Sequence, residues 1–243
     1  MRLPRVFVDL PLIRGQVITL PEGPGRHLTQ VLRLGVGASL WVFNGDGSDY
    51  GARLVALGHG GTTLAVGERG PEEPPPPVAI RLAIGVSKGE RMDYAIQKSV
   101  ELGVTRISPL FTERSVVQLS GDRLTRRMAH WQGILVGACE QSGRRRLPRL
   151  DPAAVFADWI GTAPAGSLLL DAQADDTLVA LPRPGAEVTL LVGPEGGLSP
   201  SERRVAKAHG CRPVRLGPRV LRTETAPLAA IAAIQALWGD FGA

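Results

Sequence analysis

The spacing of apolar residues changes character near residue 73. Before it, short runs alternate apolar and polar positions: RVFV at 5–8, QVITL at 16–20, SLWVF at 39–43, YGARLVAL at 50–57 and TTLAVG at 62–67. Turn-forming stretches such as NGDGSD and GHGG separate them, and the pattern predicts a small all-β barrel over residues 1–72. One segment, GRHLTQVLRL, has helical spacing and predicts a helix inserted early in that domain. Four consecutive prolines, Pro74 to Pro77, are incompatible with a helix interior or a central strand, so 73–77 reads as an extended linker.

From residue 78 to 243 strands and helices alternate. VAIRLAIGV is a nearly continuous apolar strand, RMDYAIQKSVELG a helix ending at Gly103, and VTRISPL the next strand. Leu124, Met128, Trp131, Leu135 and Ala138 recur at three- and four-residue spacing, which predicts a long helix over 122–142. SLLLD, EVTLLVG and RPVRLG read as strands, and PSERRVAKAHG and APLAAIAAIQALWGDF as helices, the last largely buried. Alternating apolar strands and helices indicate an α/β domain with a mostly parallel sheet covered on both faces.

Composition narrows the setting. With 243 residues, 44% of them hydrophobic, there is material for one large or two modest cores. Cys139 and Cys211 have neither a CxxC spacing nor a histidine pair, which argues against a metal site or a disulfide framework and suits a reducing cytoplasm. Asp9 and Pro11 interrupt any apolar stretch of a signal peptide, and no run approaches the ~18 apolar residues of a membrane span. A soluble, cytoplasmic protein with no membrane partner is expected. The net charge is +5, carried almost entirely by arginine. That balance suits a phosphate-bearing partner, although a biased genome also produces it.

Two strand–loop–helix transitions carry candidate chemistry. In LLVGPEGGLSPSE, Ser199, Pro200 and Glu202 supply an N-cap, an N1 proline and the reciprocal glutamate of a capping box. Gly196 and Gly197 let backbone approach a ligand, but with Gly193 they do not give GxGxxG, and there is no GxxxxGK[ST]. Glu195 would repel a pyrophosphate and suits an uncharged or cationic nucleoside-like ligand better. The second transition is RLGPRVLRTETAPLAA. Gly217 and Pro218 turn the chain, Arg219 and Arg222 follow, and Thr223 or Thr225 is placed to cap the last helix. Arg222 and Glu224 either face a crevice shared by the two loops or pair with each other. Further basic residues are Arg144, Arg145, Arg146 and Arg149 just after the helix-ending Gly143, Lys88 and Arg91 near a strand end, and Arg26, His27 and Arg33 in the β domain. The arginines after Gly143 complement a helix dipole, yet their number favours phosphate contact.

Taken together, HLTQVLRL, SKGERMDYAIQKSVELGV, ERSVV, CEQSGR, LVGPEGGLSPSE and LGPRVLRTETA closely resemble the SPOUT-class methyltransferases, specifically the bacterial small-subunit ribosomal RNA uridine-N3 methyltransferase family, almost end to end. The resemblance implies a PUA-like barrel over 1–72 and a methyltransferase domain with a deep trefoil knot over 78–243. It also implies a homodimer, S-adenosyl-L-methionine as cofactor, and a uridine of 16S rRNA, presented in the assembled small subunit, as substrate. Carried over residue by residue, the cofactor pocket involves Leu170, Val192, Gly193, Pro194, Glu195, Gly196, Gly197, Leu216, Gly217, Leu221, Arg222 and Thr223. RNA contacts are expected from Arg26, His27, Arg33, Lys88, Arg91, Arg114, Arg144, Arg145, Arg146 and Arg219. Loss of the uridine N3 proton calls for a cation, assigned to Arg222, with Glu224 as a candidate base ahead of Glu195. A related enzyme acting on another rRNA or tRNA position, or a non-catalytic RNA-binding assembly factor, remains as an alternative.

Overall fold

The structure, a computed structural model, describes residues 3–58 and 61–242. The turn expected at GHGG falls on His59 and Gly60, outside the described residues. The chain divides into two compact units, Met1–Pro75 with Cys139–Leu147, and Pro76–Ala138 with Pro148–Ala243. The break at Pro75 lies inside the expected linker. The inclusion of Cys139–Leu147 in the first unit was not foreseen.

The first unit is built on a five-stranded sheet of β1 (Arg5–Phe7), β2 (Val17–Thr19), β3 (Ser39–Phe43), β4 (Ser48–Gly58) and β5 (Gly61–Glu72), in the order β1-β3-β4-β5-β2. Only the β1–β3 pair is parallel. Alternate residues of these strands, among them Val6, Leu40, Val42, Leu54, Leu64 and Val66, point into one apolar core. The β3–β4 turn is the NGDGSD stretch. Its Gly45 and Gly47 sit at φ +90 and +101, and the Asn44 and Asp46 side chains accept from backbone amides two residues on.

The early helix is shorter than its spacing suggests. α1 covers Glu22–Arg26, and the chain then widens into a π-helical turn over His27–Val31, closed by Leu32 N donating to His27 O at 3.0 Å. Leu28 is fully buried there, so the wider turn still serves the core.

The segment 139–147 joins this unit because its backbone is satisfied here. Arg5 donates to Cys139 O at 2.7 Å and to Arg144 O at 3.1 Å, and Glu140 accepts from Phe7 N at 2.9 Å. Cys139 O also accepts from Gly143 N at 3.1 Å. Burial pushes the Cys139 thiol up to about 11.

The second unit contains β6 (Ala79–Gly85), α2 (Glu90–Glu101), β7 (Val104–Phe111), most of α3 (Gly121–Ser142), β8 (Arg149–Leu150), β9 (Ala154–Val155), α4 (Phe156–Ile160), β10 (Leu168–Leu170), β11 (Glu187–Val192), α5 (Pro200–Ala208), β12 (Arg212–Val214) and α6 (Thr225–Leu237). Its sheet runs β12-β10-β11-β6-β7-β8, with β9 also on β7, and every pairing is parallel. One face buries Ala83, Leu110, Leu169 and Leu191 against Phe156 and Ile160 of α4 and Ala206 of α5. α2 packs against α6 and β7, and its apolar stripe of Met92, Ala95, Ile96 and Val100 is buried.

α2 stops at Gly103, φ +93, where Gln235 of α6 donates to Leu102 O at 2.9 Å. The one strongly buried amide of α6 therefore caps its neighbour. The short strands β8 and β9 and the five-residue α4 were not visible in the sequence pattern. Among the described residues no helix is long and apolar enough to cross a membrane.

Candidate active site

Because every strand of the second sheet points the same way, the loops that follow β6, β10, β11 and β12 leave from one edge. Open parallel sheets bind ligands at that edge. The loop after β11 folds back on itself: Gly197 N donates to Pro194 O at 2.8 Å, and Gly197 takes φ +65. A Cβ on Gly193 would lie 2.6 Å from Leu198 N, so only glycine allows this closure.

α5 then starts with the expected capping box. Ser199 Oγ accepts from Glu202 N at 3.1 Å, and Glu202 accepts from Ser199 N at 2.8 Å. Glu202 has a second task, accepting from Glu113 N at 2.9 Å, which ties the chain after β7 to the start of α5.

The loop after β12 is laced to the first. Thr223 does not cap α6. Its hydroxyl donates instead to Gly193 O at 3.0 Å and lies 3.4 Å from Ser87 Oγ in the loop after β6. Thr225 does not cap it either: the N-cap position is Glu224, in helical conformation and without a side-chain cap hydrogen bond. A buried threonine that joins three loops outweighs a cap on a helix whose apolar burial already secures it.

Glu195 is the second tie. Its Oε1 accepts from Lys88 N at 2.8 Å with Arg91 Nη1 at 3.5 Å, and its Oε2 is buried without a hydrogen-bond partner. Burial raises the Glu195 pKa, but the amides of Lys88 and Glu195 and the Arg91 charge outweigh it and leave the carboxyl below its usual value.

Between these loops lies a cavity of about 490 Å³, within the usual range for small-molecule sites. Of the residues expected in a cofactor pocket, Leu170, Val192, Gly193, Pro194, Glu195, Gly196, Gly197, Leu216, Leu221, Arg222 and Thr223 all line it. Gly217 does not; it takes φ +92. Arg219, expected to contact RNA, also lines the cavity.

Asp171 and Arg203 were missed. They face the cavity and lie 3.5 Å apart. The signal for Asp171 was available, since it is the polar residue that ends the apolar run SLLLD. Arg222 is exposed and has no ion-pair partner among the described residues, so it does not pair with Glu224. Glu224 is not among the cavity-lining residues, and its Oε2 is buried without a hydrogen-bond partner.

The other basic residues separate into two groups. Arg145 and Arg146 do not stand free for phosphate. Arg145 Nε is 3.3 Å from Asp49 and its Nη1 donates to Pro71 O at 2.7 Å, while Arg146 pairs with Glu72. The backbone amides of both residues donate to Glu73. The acidic residues before the proline run neutralise them, which the sequence spacing did not reveal. Arg114 also has an internal role, donating to Gly196 O at 2.8 Å with its stem against Gly196. Arg26 pairs with Glu22 on α1, and Arg91 with Glu195. Arg26, His27, Arg33, Lys88 and Arg219 are exposed. Among the described residues no group of three His, Cys, Asp or Glu side chains could hold a metal ion.

Comparison with known proteins agrees with this layout. The family model of an RNA methyltransferase domain matches residues 74–235, and that of an RNA methyltransferase PUA domain matches 22–64. The ribosomal RNA small subunit methyltransferase E of Buchnera aphidicola is 32% identical over 98% of this chain and 98% of its own length. The Synechocystis protein of that name is 35% identical over 96% of this chain and 77% of its own. Among solved structures, a Legionella pneumophila methyltransferase in complex with S-adenosylmethionine superposes with a TM-score of 0.95 at 36% identity, covering 99% of this chain and 100% of that one. The ribosomal RNA small subunit methyltransferase E of Neisseria gonorrhoeae, also bound to S-adenosylmethionine, gives 0.91 at 38% identity with the same coverage. With its parallel sheet, its laced loops and these end-to-end likenesses, the chain belongs to the ribosomal RNA small subunit methyltransferase E family of SPOUT-class RNA methyltransferases.

Proposed function

We propose that this protein methylates N3 of one uridine in 16S rRNA of the small ribosomal subunit, with S-adenosyl-L-methionine as its cofactor. The observation that carries the reading is the cavity between the loops after β11 and β12, with Arg222, which has no ion-pair partner among the described residues, in its wall. The residues present fit the cofactor. Leu169, Leu198, Val214 and Leu216 offer apolar walls for an adenine, and the bare backbone of Gly196 and Gly197 offers close approach. Asp171 and Glu195 supply acids beside the cavity, which suit a sulfonium and an ammonium better than a pyrophosphate.

S-adenosylmethionine bound there supplies an electrophilic methyl group. The protein's task is to make uridine N3 nucleophilic, because its lone pair is tied up in the imide until the proton leaves. Arg222 stabilises the negative charge that spreads over O2 and O4 as that proton goes. Glu224 lies outside the cavity wall, so in this reading solvent takes the proton and Arg222 lowers the cost of losing it. The remaining contribution is alignment of N3 with the methyl group, set by the laced loops.

The exposed cations Arg26, His27, Arg33, Lys88 and Arg219 are the candidates for RNA phosphate contact, and such contacts position the substrate without reading its sequence. In the same reading the enzyme acts as a homodimer on the assembled small subunit, and the loops after β11 and β12 belong to a deep trefoil knot. The likeness to relatives named for the ribosomal small subunit supports the choice of small-subunit rRNA as substrate. The test is single-turnover methyl transfer. Arg222→Ala should slow it by about 10²–10³-fold, the usual loss for one oxyanion donor, while Glu224→Gln keeps most of the rate. A full rate in Arg222→Ala at unchanged cofactor affinity overturns the role given to Arg222.

A further inference from the structure

Parallel strands covered on both faces are ordinarily apolar throughout, and a charge in mid-strand is costly without a partner. β6 and β7 break this pattern at matching positions. Arg81 is registered against Thr189 of β11 on one side and Arg106 of β7 on the other, and Arg106 is registered against Arg149 of β8. Neighbours in register project from the same face, so three guanidiniums form a lateral row, an arrangement that repels itself.

Two carboxylates answer the row. Glu187 accepts from Arg81 Nη2 at 2.7 Å, and Asp151 meets Arg106 Nε at 2.7 Å and Arg149 Nε at 3.0 Å. Three cations and two anions leave one positive charge uncompensated. The Arg149 contact is also loose: Asp151 Oδ1 makes no hydrogen bond despite its closeness, and the Arg149 side chain is 70% exposed. The Nη groups of Arg106 and Arg149 have no hydrogen-bond partner among the described residues.

These side chains line a cavity of about 240 Å³ whose other wall includes Trp159 and Thr162. It shares no lining residue with the cofactor cavity. We infer that this cavity is an oxyanion site that takes one phosphate group on the guanidinium row. Guanidinium forks match phosphate oxygens in geometry and charge, and the arriving anion supplies the compensation the row lacks. The volume lies below the ~300 Å³ at which sites for whole small molecules begin, which suits a single phosphate. The phosphate comes from an RNA backbone or from free inorganic phosphate. The RNA source rests on the methyltransferase reading above; the oxyanion chemistry does not.

The experiment uses the full chain, with Arg149→Ala, Arg81→Ala and Arg149→Lys beside the wild type. Calorimetric titration with inorganic phosphate reads the site directly, filter binding of unmodified small subunits across a salt series reads the RNA source, and S-adenosylmethionine affinity checks that each variant is folded. Wild type should bind phosphate, with affinity weakened about tenfold or more by either alanine and partly restored by Arg149→Lys. If the phosphate belongs to RNA, the log–log salt slope for subunit binding falls by about 0.7–0.9 in Arg149→Ala. Phosphate binding lost with an unchanged slope assigns the site to free phosphate. A wild type that binds no phosphate, with subunit affinity and slope equal in all variants, overturns the inference. Absence of methyl transfer by the wild type would sink the enzymatic reading and leave the phosphate titration as a separate result.

Discussion

Gly85 touches no ligand in this account, yet its substitution should damage the cofactor site. It is the last residue of β6, and a Cβ there would lie 2.4 Å from Pro194 Cδ, 2.5 Å from Pro194 N and 3.0 Å from Gly193 C. Carbon atoms rest at about 3.5–4.0 Å, so the loop after β11 has to retreat by roughly 1 Å. Backbone atoms on both sides leave no flexible side chain to absorb the insertion, and overpacking of this kind costs about 1–3 kcal/mol. Retreat relieves the strain in the free protein, and a ligand that needs the loop in place restores it. Affinity for S-adenosylmethionine should therefore fall by about 5–150-fold in Gly85→Ala.

The control adds the same methyl group to α3. Gly133 is exposed, and a Cβ there would meet nothing within 4 Å. Gly133→Ala should stabilise the helix by about 0.5–1 kcal/mol and leave cofactor affinity alone. Calorimetry gives the affinities and thermal melts give the stabilities, at about 2–4 °C for each kcal/mol. A Gly85→Ala protein with wild-type cofactor affinity and melting temperature refutes the reasoning.

Three further outcomes are expected. Thr223→Val leaves the Gly193 carbonyl without its hydroxyl partner and should cost about 1–3 kcal/mol with weaker cofactor binding, whereas Thr223→Ser keeps both; equal behaviour of the two variants contradicts the lacing role. Ser199→Ala removes half of a capping box and should lower stability by about 1 kcal/mol, measured by denaturant titration, and no change would count against the cap. Glu195 carries a pKa below its ordinary 4.5, so its stabilising share is complete above the unfolded value and is lost as pH falls through the folded one. The melting temperature of wild type should exceed that of Glu195→Gln at neutral pH, and the gap should close in acid below about pH 4.5, where a constant gap would exclude the carboxylate latch.

Much of the architecture was legible because local rules agreed with one another. The shift from alternating to helical spacing falls close to the division at Pro75, and the Ser199–Glu202 box and Gly103 mark helix ends that the structure retains. The elements that escaped notice are short or depend on distant partners. β8 and β9 have two residues each, too few for a period, and α4 has five. The residues of the loops after β10, β11 and β12 line one cavity because parallel strands send their loops to one edge. What sequence could not supply was pairing across the chain. Arg145 and Arg146 have the spacing of phosphate ligands, yet Asp49, Glu72 and Glu73, distant in sequence, lie beside them. Thr223 has the sequence position of a cap, but its hydroxyl reaches Gly193 O, thirty residues away. Glu195, awkward in a presumed nucleotide loop, acquired a role only when the Lys88 amide came within 2.8 Å.

The most direct test of the central claim is methyl transfer from labelled S-adenosylmethionine to small ribosomal subunits that lack the modification, followed by mass spectrometry of the nucleosides and mapping of the modified position. The account predicts one methyl group per subunit, on N3 of a single 16S rRNA uridine, and little transfer by Arg222→Ala. A methyl group on another base or on a ribose oxygen, or no transfer by a protein that binds the cofactor, would contradict it.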